Sequence, residues 1–182
     1  MRYPEGHNDT VRTRIVETAS RILRREGLDA VSIPKLMKAA GLTHGGFYIH
    51  FKDRDDLVVA AVAHAANDSA FAAEDVTAAE AFAKYLSQDH LDQPDHGCVV
   101  AALGDEGARR PGRIGRAFAE AARGLLRRVE KTLHPRSERH TISDDTLRKA
   151  SQIVGAVVLA RLVQDDALAG RLLVTAREQV AR

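Results

Sequence analysis

Cysteine is nearly absent from this chain and tryptophan is missing altogether: Cys98 is the single thiol in 182 residues, and aromatic side chains make up 4% of them. A lone cysteine closes no intrachain disulfide, and without a CxxC pair neither a zinc knuckle nor a dithiol redox motif is available. Long apolar runs are lacking too. The longest unbroken run of apolar and histidine residues, Leu57 to Ala66, falls well short of the roughly 20 residues that a membrane-spanning helix needs. The opening residues, MRYPEGHND, are polar and contain no apolar stretch of the kind a secretory signal requires. These absences lead us to expect a cytoplasmic protein with no membrane segment, no structural metal and no cofactor.

What is abundant is Ala, Leu, Arg and Glu, within a hydrophobic content of 45% that suffices for a buried core. No alternating apolar pattern flanked by hairpin turns is found, so the expected class is all-α. Net charge is only +2, yet residues 1–54 hold ten Lys or Arg against six Asp or Glu, whereas the remainder holds 17 against 19. That asymmetry favours an N-terminal end facing nucleic acid, although an imbalance of this size also arises by chance on solvated surfaces.

The first 54 residues divide into short helical units. From about Asp9 to Glu26, Ile15, Ala19, Ile22 and Leu23 recur at helical spacing, and Gly27 after the basic last turn fits a left-handed C-terminal cap. Ser32 is an N-cap candidate for a second helix, with Pro34 in its first turn and Leu36, Met37 and Ala40 on its inner face. Gly41 closes that helix. Thr43 is a cap candidate for a third, running to about Phe51, with Phe47 and Phe51 inward and His44, Gly45, Tyr48, Ile49 and His50 outward. Gly45 and Gly46 cost roughly 1 kcal/mol each relative to Ala in a helix, a cost that close approach of backbone amides to phosphate would motivate. Asp53 then caps a fourth helix, with Asp56 at the capping-box position and Lys52 and Arg54 flanking the cap.

A compact helix, a turn and an exposed short helix have the dimensions of a helix-turn-helix whose second helix enters the DNA major groove. Gly27, Ala40, Gly41, Gly45, Phe47, Tyr48, His50, Phe51 and Arg54 stand in one register, and in that register the segment resembles the DNA-binding domain of the TetR family of transcriptional regulators. The resemblance covers about the first 57 residues. It implies a helix-turn-helix domain over 1–56 and a helical effector-binding and dimerisation domain over 57–182. It also implies DNA-facing roles for Thr43, His44, Gly45, Gly46, Tyr48, His50 and Arg54, with Tyr48, His50 and Arg54 chiefly toward phosphate; Ile49 on the outward side and Lys52 beside the Asp53 cap join them by position. Gly46 departs from the hydroxyl residue of many members, and Pro34 replaces a position that can contact DNA. Base readout then falls to His44 and Thr43, with Ile49 against a thymine methyl.

The rest of the chain reads as further helices: a connector from Leu57 to about Phe71, a capping box at Thr77 and Glu80, and a short apolar helix after Gly97-Cys98. A long helix follows, with Ile114, Phe118, Ala121, Leu125 and Val129 on one face; its Arg113, Arg116, Arg123 and Arg127 are expected to be solvated surface. His134 to Asp145 reads as a loop, with Ser143 capping the next helix. That helix is apolar on nearly its whole circumference apart from Arg161, and the last carries Leu168, Leu172, Ala176 and Val180 four residues apart. An all-apolar helix in a small chain covers two surfaces, so Ile153, Gly155, Ala156, Val157, Ala160, Leu168, Leu172 and Ala176 are expected at a two-fold homodimer interface. The TetR resemblance agrees, and implies a pseudo-palindromic double-stranded DNA operator and release, in a repressor, by a small-molecule effector. Gly97-Cys98 ahead of an apolar helix resembles the branch of the family that senses electrophiles through cysteine, which makes Cys98 the candidate effector-sensing residue; a buried inert thiol is the alternative.

Two other functional classes compete with this one. A helical enzyme would draw on His64, Asp89, His90, His96 and Glu106, but their spacing matches no metal-ligand pair and no nucleophile–base pattern accompanies them. A non-specific architectural DNA binder is disfavoured by the long, non-basic C-terminal body.

Overall fold

A computed structural model describes residues 7–72, 76–137 and 141–181. The opening hexapeptide and part of the loop expected over His134 to Asp145 lie outside them. Every regular element among the described residues is helical: α1 (His7–Glu26), α2 (Ile33–Ala39), α3 (Phe47–His50), α4 (Arg54–Asn67), α5 (Ala78–Tyr85), α6 (Gln88–Asp92), α7 (Val99–Ala108), α8 (Gly112–Leu133), α9 (Asp144–Leu162) and α10 (Asp166–Val180). The fold is all-α, and no described helix is long and apolar enough to cross a membrane.

Local chemistry explains most boundaries. Gly27 and Gly41 take φ of 93° and 70°, the left-handed conformation that lets the chain leave α1 and α2 sharply. Asp53 accepts the Asp56 N–H at 2.8 Å, and the Asp56 carboxylate reaches back to the Lys52 N–H at 3.1 Å. Thr77 and Glu80 form the full reciprocal box, and Ser143 caps α9 through the Thr146 N–H at 3.2 Å. Ser32 occupies the N-cap position of α2 but makes no side-chain cap bond.

Two expected helices are shorter than their sequence pattern. The connector ends at Asn67 rather than near Phe71, because Asp68 and Ser69 follow and the Ser69 hydroxyl accepts the Phe71 N–H. The helix expected from Thr43 to Phe51 is split into a 3-10 turn over His44–Gly46 and the four-residue α3, with Gly46 rather than Thr43 at the N-cap. Two consecutive glycines lower helix propensity enough to account for the break.

Two apolar clusters hold the molecule together. The first gathers Ile15, Leu23, Leu36, Met37, Phe47 and Phe51 with Leu57, Val58, Ala61 and Val62 of α4, then continues into Val99 and Leu103 of α7 and Ile114 and Phe118 of α8. Packing therefore runs unbroken across residue 57. The second gathers Phe71, Phe82 and Tyr85 with Leu125 and Val129 of α8, Ile153 and Val157 of α9 and Leu173 and Val180 of α10. The α7–α8 contact needs Gly107, since a Cβ there would lie 2.3 Å from the Phe118 ring.

Candidate nucleic-acid interface

Phe47 and Phe51 are fully buried, with ring centroids 5.5 Å apart, and they anchor α3 onto the first cluster. Anchoring that face pushes the other outward. Tyr48 is 62% and Ile49 71% exposed, the Tyr48 ring standing edge-on to Phe47 at 5.2 Å. An isoleucine so exposed next to a tyrosine is an apolar patch on an otherwise polar head. Thr43, Gly45 and Lys52 are exposed beside it, and Gly46 and His50 are half-buried. The backbone of His44 lies in the turn; its side chain is outside the described ones.

The two glycines differ from Gly107. A Cβ on Gly45 would meet nothing within 4 Å, and one on Gly46 would make only ordinary contact with Met37 and Thr43. Neither position requires glycine for packing inside this chain.

Arg54 is placed differently from the expectation of a phosphate contact. Its Nε donates to the Val31 carbonyl at 2.8 Å and its Nη2 to the Leu28 carbonyl, with Asp29 at 3.9 Å. The guanidinium thus ties the start of α4 to the α1–α2 turn, a strut within the head that the sequence motif does not distinguish from a surface cation. Arg113, expected as solvated surface, instead grips both oxygens of Asp53 at 2.8 Å.

The expected dimer residues also divide. Ile153, Ala156, Val157, Ala160 and Ala176 are buried in the chain's own second cluster. Gly155 and Leu172 are half-buried and Leu168 is exposed; Leu159, Leu162 and Val174, not foreseen, are exposed beside them. The reason is helical drift: a row of residues four apart turns by about 40° per step, so Leu168 and Val180 end on different faces.

Cys98 is half-buried at the N-cap of α7, in a setting that its sequence neighbours do not reveal. Its N–H donates to His90 Nε2 at 2.9 Å, and His90 Nδ1 lies 2.5 Å from the Tyr85 carbonyl, so the ring is the neutral Nδ1–H tautomer. Burial holds the His90 imidazole below its ordinary value; the Tyr85 carbonyl opposes that shift, and Arg161 and Arg24 add to it. Burial likewise pushes the Tyr85 phenol up, with Cys98 adding to the effect. Arg161 donates to the His90 carbonyl at 2.7 Å, and Arg24, from α1, donates to the Gly97 carbonyl at 2.7 Å. Gly97 is required here, since a Cβ would fall 2.6 Å from His90 Cδ2. A cavity of about 80 Å³ opens on this cluster, lined by Tyr85, His90, Gly97 and Cys98 with Asp68, Lys84 and Asp89.

Of the residues named for an enzyme, Asp89, His90 and His96 line the cavity beside Cys98, His64 and His96 border a second pocket, and Glu106 accepts the Leu28 N–H at 3.1 Å; among the described residues no three His, Cys, Asp or Glu are grouped to hold a metal ion.

Residues 15–61 match the model of the N-terminal domain of bacterial regulatory proteins of the tetR family. The HTH-type transcriptional regulator AcrR of Shigella flexneri is 41% identical over 46 residues, which are 25% of this chain and 21% of that protein; the match spans about a fifth of the relative's length. Solved structures align over nearly the whole chain. The reduced form of E. coli NemR superimposes with a TM-score of 0.71 at 18% identity, covering 94% of this chain and 95% of that one. A TetR transcriptional regulator from Legionella pneumophila gives 0.73 at 16% identity over 100% and 98%. Residues 15–61 thus carry the N-terminal domain of the tetR family of bacterial regulatory proteins, on a chain whose fold is that of the solved TetR regulators.

Proposed function

We propose that this chain is a homodimeric, operator-binding transcription regulator of the repressor type, released from DNA by a small-molecule or electrophilic effector. The observation that carries the reading is the outward face of α3: Tyr48 and Ile49 lie bare on a helix whose other face is locked by Phe47 and Phe51, next to a glycine with open space above it. Thr43, His44, Gly45, Gly46, Tyr48, Ile49, His50 and Lys52 form the DNA-facing set in this reading, with residues 1–56 as the head and 57–182 as the body. Arg54 positions the head rather than touching phosphate. The protein acts on double-stranded DNA in the cytoplasm, and the exposed Leu159, Leu162, Leu168 and Val174 pair with a second copy, so that two α3 segments meet successive major grooves.

Cys98 is the residue on which an electrophilic effector would act. It stands half-buried at the N-cap of α7 and on the wall of the cavity. Labelling of Cys98 at neutral pH, accompanied by loss of DNA binding that Cys98→Ser prevents, is the expected behaviour; labelling without any change in DNA binding removes Cys98 from the mechanism.

Random-site selection with the purified protein tests the whole reading. A pseudo-palindrome is expected, bound with an affinity that survives salt far better than binding to unrelated sequence. Recovery of no preferred sequence would favour the architectural alternative.

A further inference from the structure

Two arginines of the α7–α8 corner reach back from the body into the head. Arg110 Nη2 donates to Asp29 at 2.7 Å, in the turn that leads into α2. Arg113 Nη2 donates to both oxygens of Asp53 at 2.8 Å, just beyond the end of α3, and lies 4.0 Å from Asp55. The segment that carries α2 and α3 is therefore held at both flanks by cations of a single corner. Charge is complementary across the junction, with the carboxylates of Asp29, Asp53 and Asp55 on the head and the guanidinium groups of Arg110 and Arg113 on the body. The Asp56 N–H and then Arg113 hold the Asp53 carboxyl below its ordinary value, and Arg110 does the same for Asp29.

The corner has little freedom to follow the head. Gly112 takes φ of 70°, a Cβ on Gly115 would lie 2.1 Å from the Arg110 carbonyl, and one on Gly107 would meet the Phe118 ring. The backbone that bears Arg110 and Arg113 is thus packed closely on α8. On the head side, Asp53 is also the N-cap of α4, and Arg54 ties the start of α4 to the Leu28 and Val31 carbonyls on either side of Asp29. Glu106 accepts the Leu28 N–H at 3.1 Å and receives Arg110 at 3.3 Å. Each clasp therefore ends on a braced point of the head.

Burial of the first apolar cluster across α4, α7 and α8 is favourable but non-directional, and Ala61, Ala65 and Ala121 present shallow surfaces to it. Charge-assisted hydrogen bonds are directional. The Arg113 and Asp53 side chains are both 44% exposed, so their pairing adds little to folding stability. What it can fix is an angle. We propose that Arg110 and Arg113 are positioning residues for DNA recognition: through Asp29 and Asp53 they set the angle at which the body presents α2 and α3, and so the half-site spacing that the dimer accepts. The inference rests on the regulator reading.

The test begins with random-site selection on the full-length wild type. Fluorescence anisotropy at one ionic strength then compares the selected operator with versions whose spacer is one base pair longer or shorter, a change of about 3.4 Å and about 35°. Arg110→Gln combined with Arg113→Gln is expected to weaken binding to the selected operator about tenfold and to reduce its preference over the altered spacers about fivefold, with little change in urea midpoint. Charge exchange, Asp29→Arg with Arg110→Asp, is expected to restore the spacing preference that either single change reduces. Should the double glutamine variant misfold by circular dichroism, Arg113→Gln alone carries the test. Equal losses at every spacing would indicate a merely structural or phosphate-contacting role and overturn the inference, as would a charge exchange no better than its single changes. Failure of the wild type to select any operator would sink the regulator reading and this inference with it. A wild-type spacing optimum that the variants share removes the positioning role alone.

Discussion

Arg24 Nη1, on the first helix of the head, donates to the carbonyl of Gly97, the residue before Cys98, at 2.7 Å. The same guanidinium reaches the Ser20 carbonyl and hydroxyl at 3.2 and 3.1 Å and approaches Asp68 at the end of α4 at 3.5 Å. One buried side chain thus joins α1, the end of α4 and the turn that carries the thiol. Displacing Gly97 would take from Arg24 its shortest acceptor and leave the guanidinium to Ser20 and Asp68.

Replacing Arg24 with Met keeps much of the volume but leaves the Gly97 carbonyl and Ser20 hydroxyl without their donor. We expect a loss of about 2–3 kcal/mol of stability, read as a lowered urea midpoint. A loss below about 1 kcal/mol would mean that water replaces the guanidinium and that the strut has little weight.

Gly45→Ala separates folding from function. The added methyl meets no protein atom within 4 Å, and Gly45 is not in a left-handed conformation, so stability should hold or rise by about 0.4–1 kcal/mol. Operator affinity should fall at least tenfold, because that methyl stands where phosphate or base edges approach. Tyr48→Ala should behave similarly on DNA, with a stability cost limited to about 0.5–1.5 kcal/mol from the edge-on contact with Phe47. Unchanged affinity in both variants would remove α3 from the interface.

The head was legible in the sequence because its signals are local. Gly27 and Gly41, the Phe47/Phe51 pair and the Asp53 cap each act within four residues, and all lie where their spacing places them. The cavity was not legible. Arg24 reads as one more cation in a basic last turn, and Arg161 as the odd residue of an apolar helix; only contacts across 73 and 71 residues of sequence bring them to Gly97 and His90. Arg54 reads as a surface cation for the same reason, since its acceptors are carbonyls, which every residue possesses.

The rotated terminal face makes a prediction of its own. Leu162→Glu adds a charge at a site 69% exposed in the protomer and should leave the helical spectrum intact while converting a dimer to monomer in sedimentation. Ala156→Glu buries that charge within the second cluster and should unfold the chain instead. Dimerisation untouched by Leu162→Glu would place the pairing surface elsewhere.

Two of the shifted groups, in different pH windows, test the acid response. Glu130 lies beside the Thr146 hydroxyl and accepts the Ser143 N–H and O–H at 2.9 and 2.8 Å, which lowers its carboxyl to about 2 against burial. Its contribution is complete above the unfolded value of 4.5 and disappears as pH falls toward 2. His90 has a similar sign with a higher window: its folded value lies below 6.5, so the unfolded chain binds the extra proton first and stability drops as pH falls from 6.5 through the folded value. Protonation would also place an N–H at Nε2 against the Cys98 N–H, breaking the bond that holds the start of α7. Urea midpoints measured from pH 7.5 to 5.0 should therefore decline in the wild type, before Glu130 begins to titrate, and much less in His90→Gln. A slope shared by both proteins would assign the upper limb of acid sensitivity to another group.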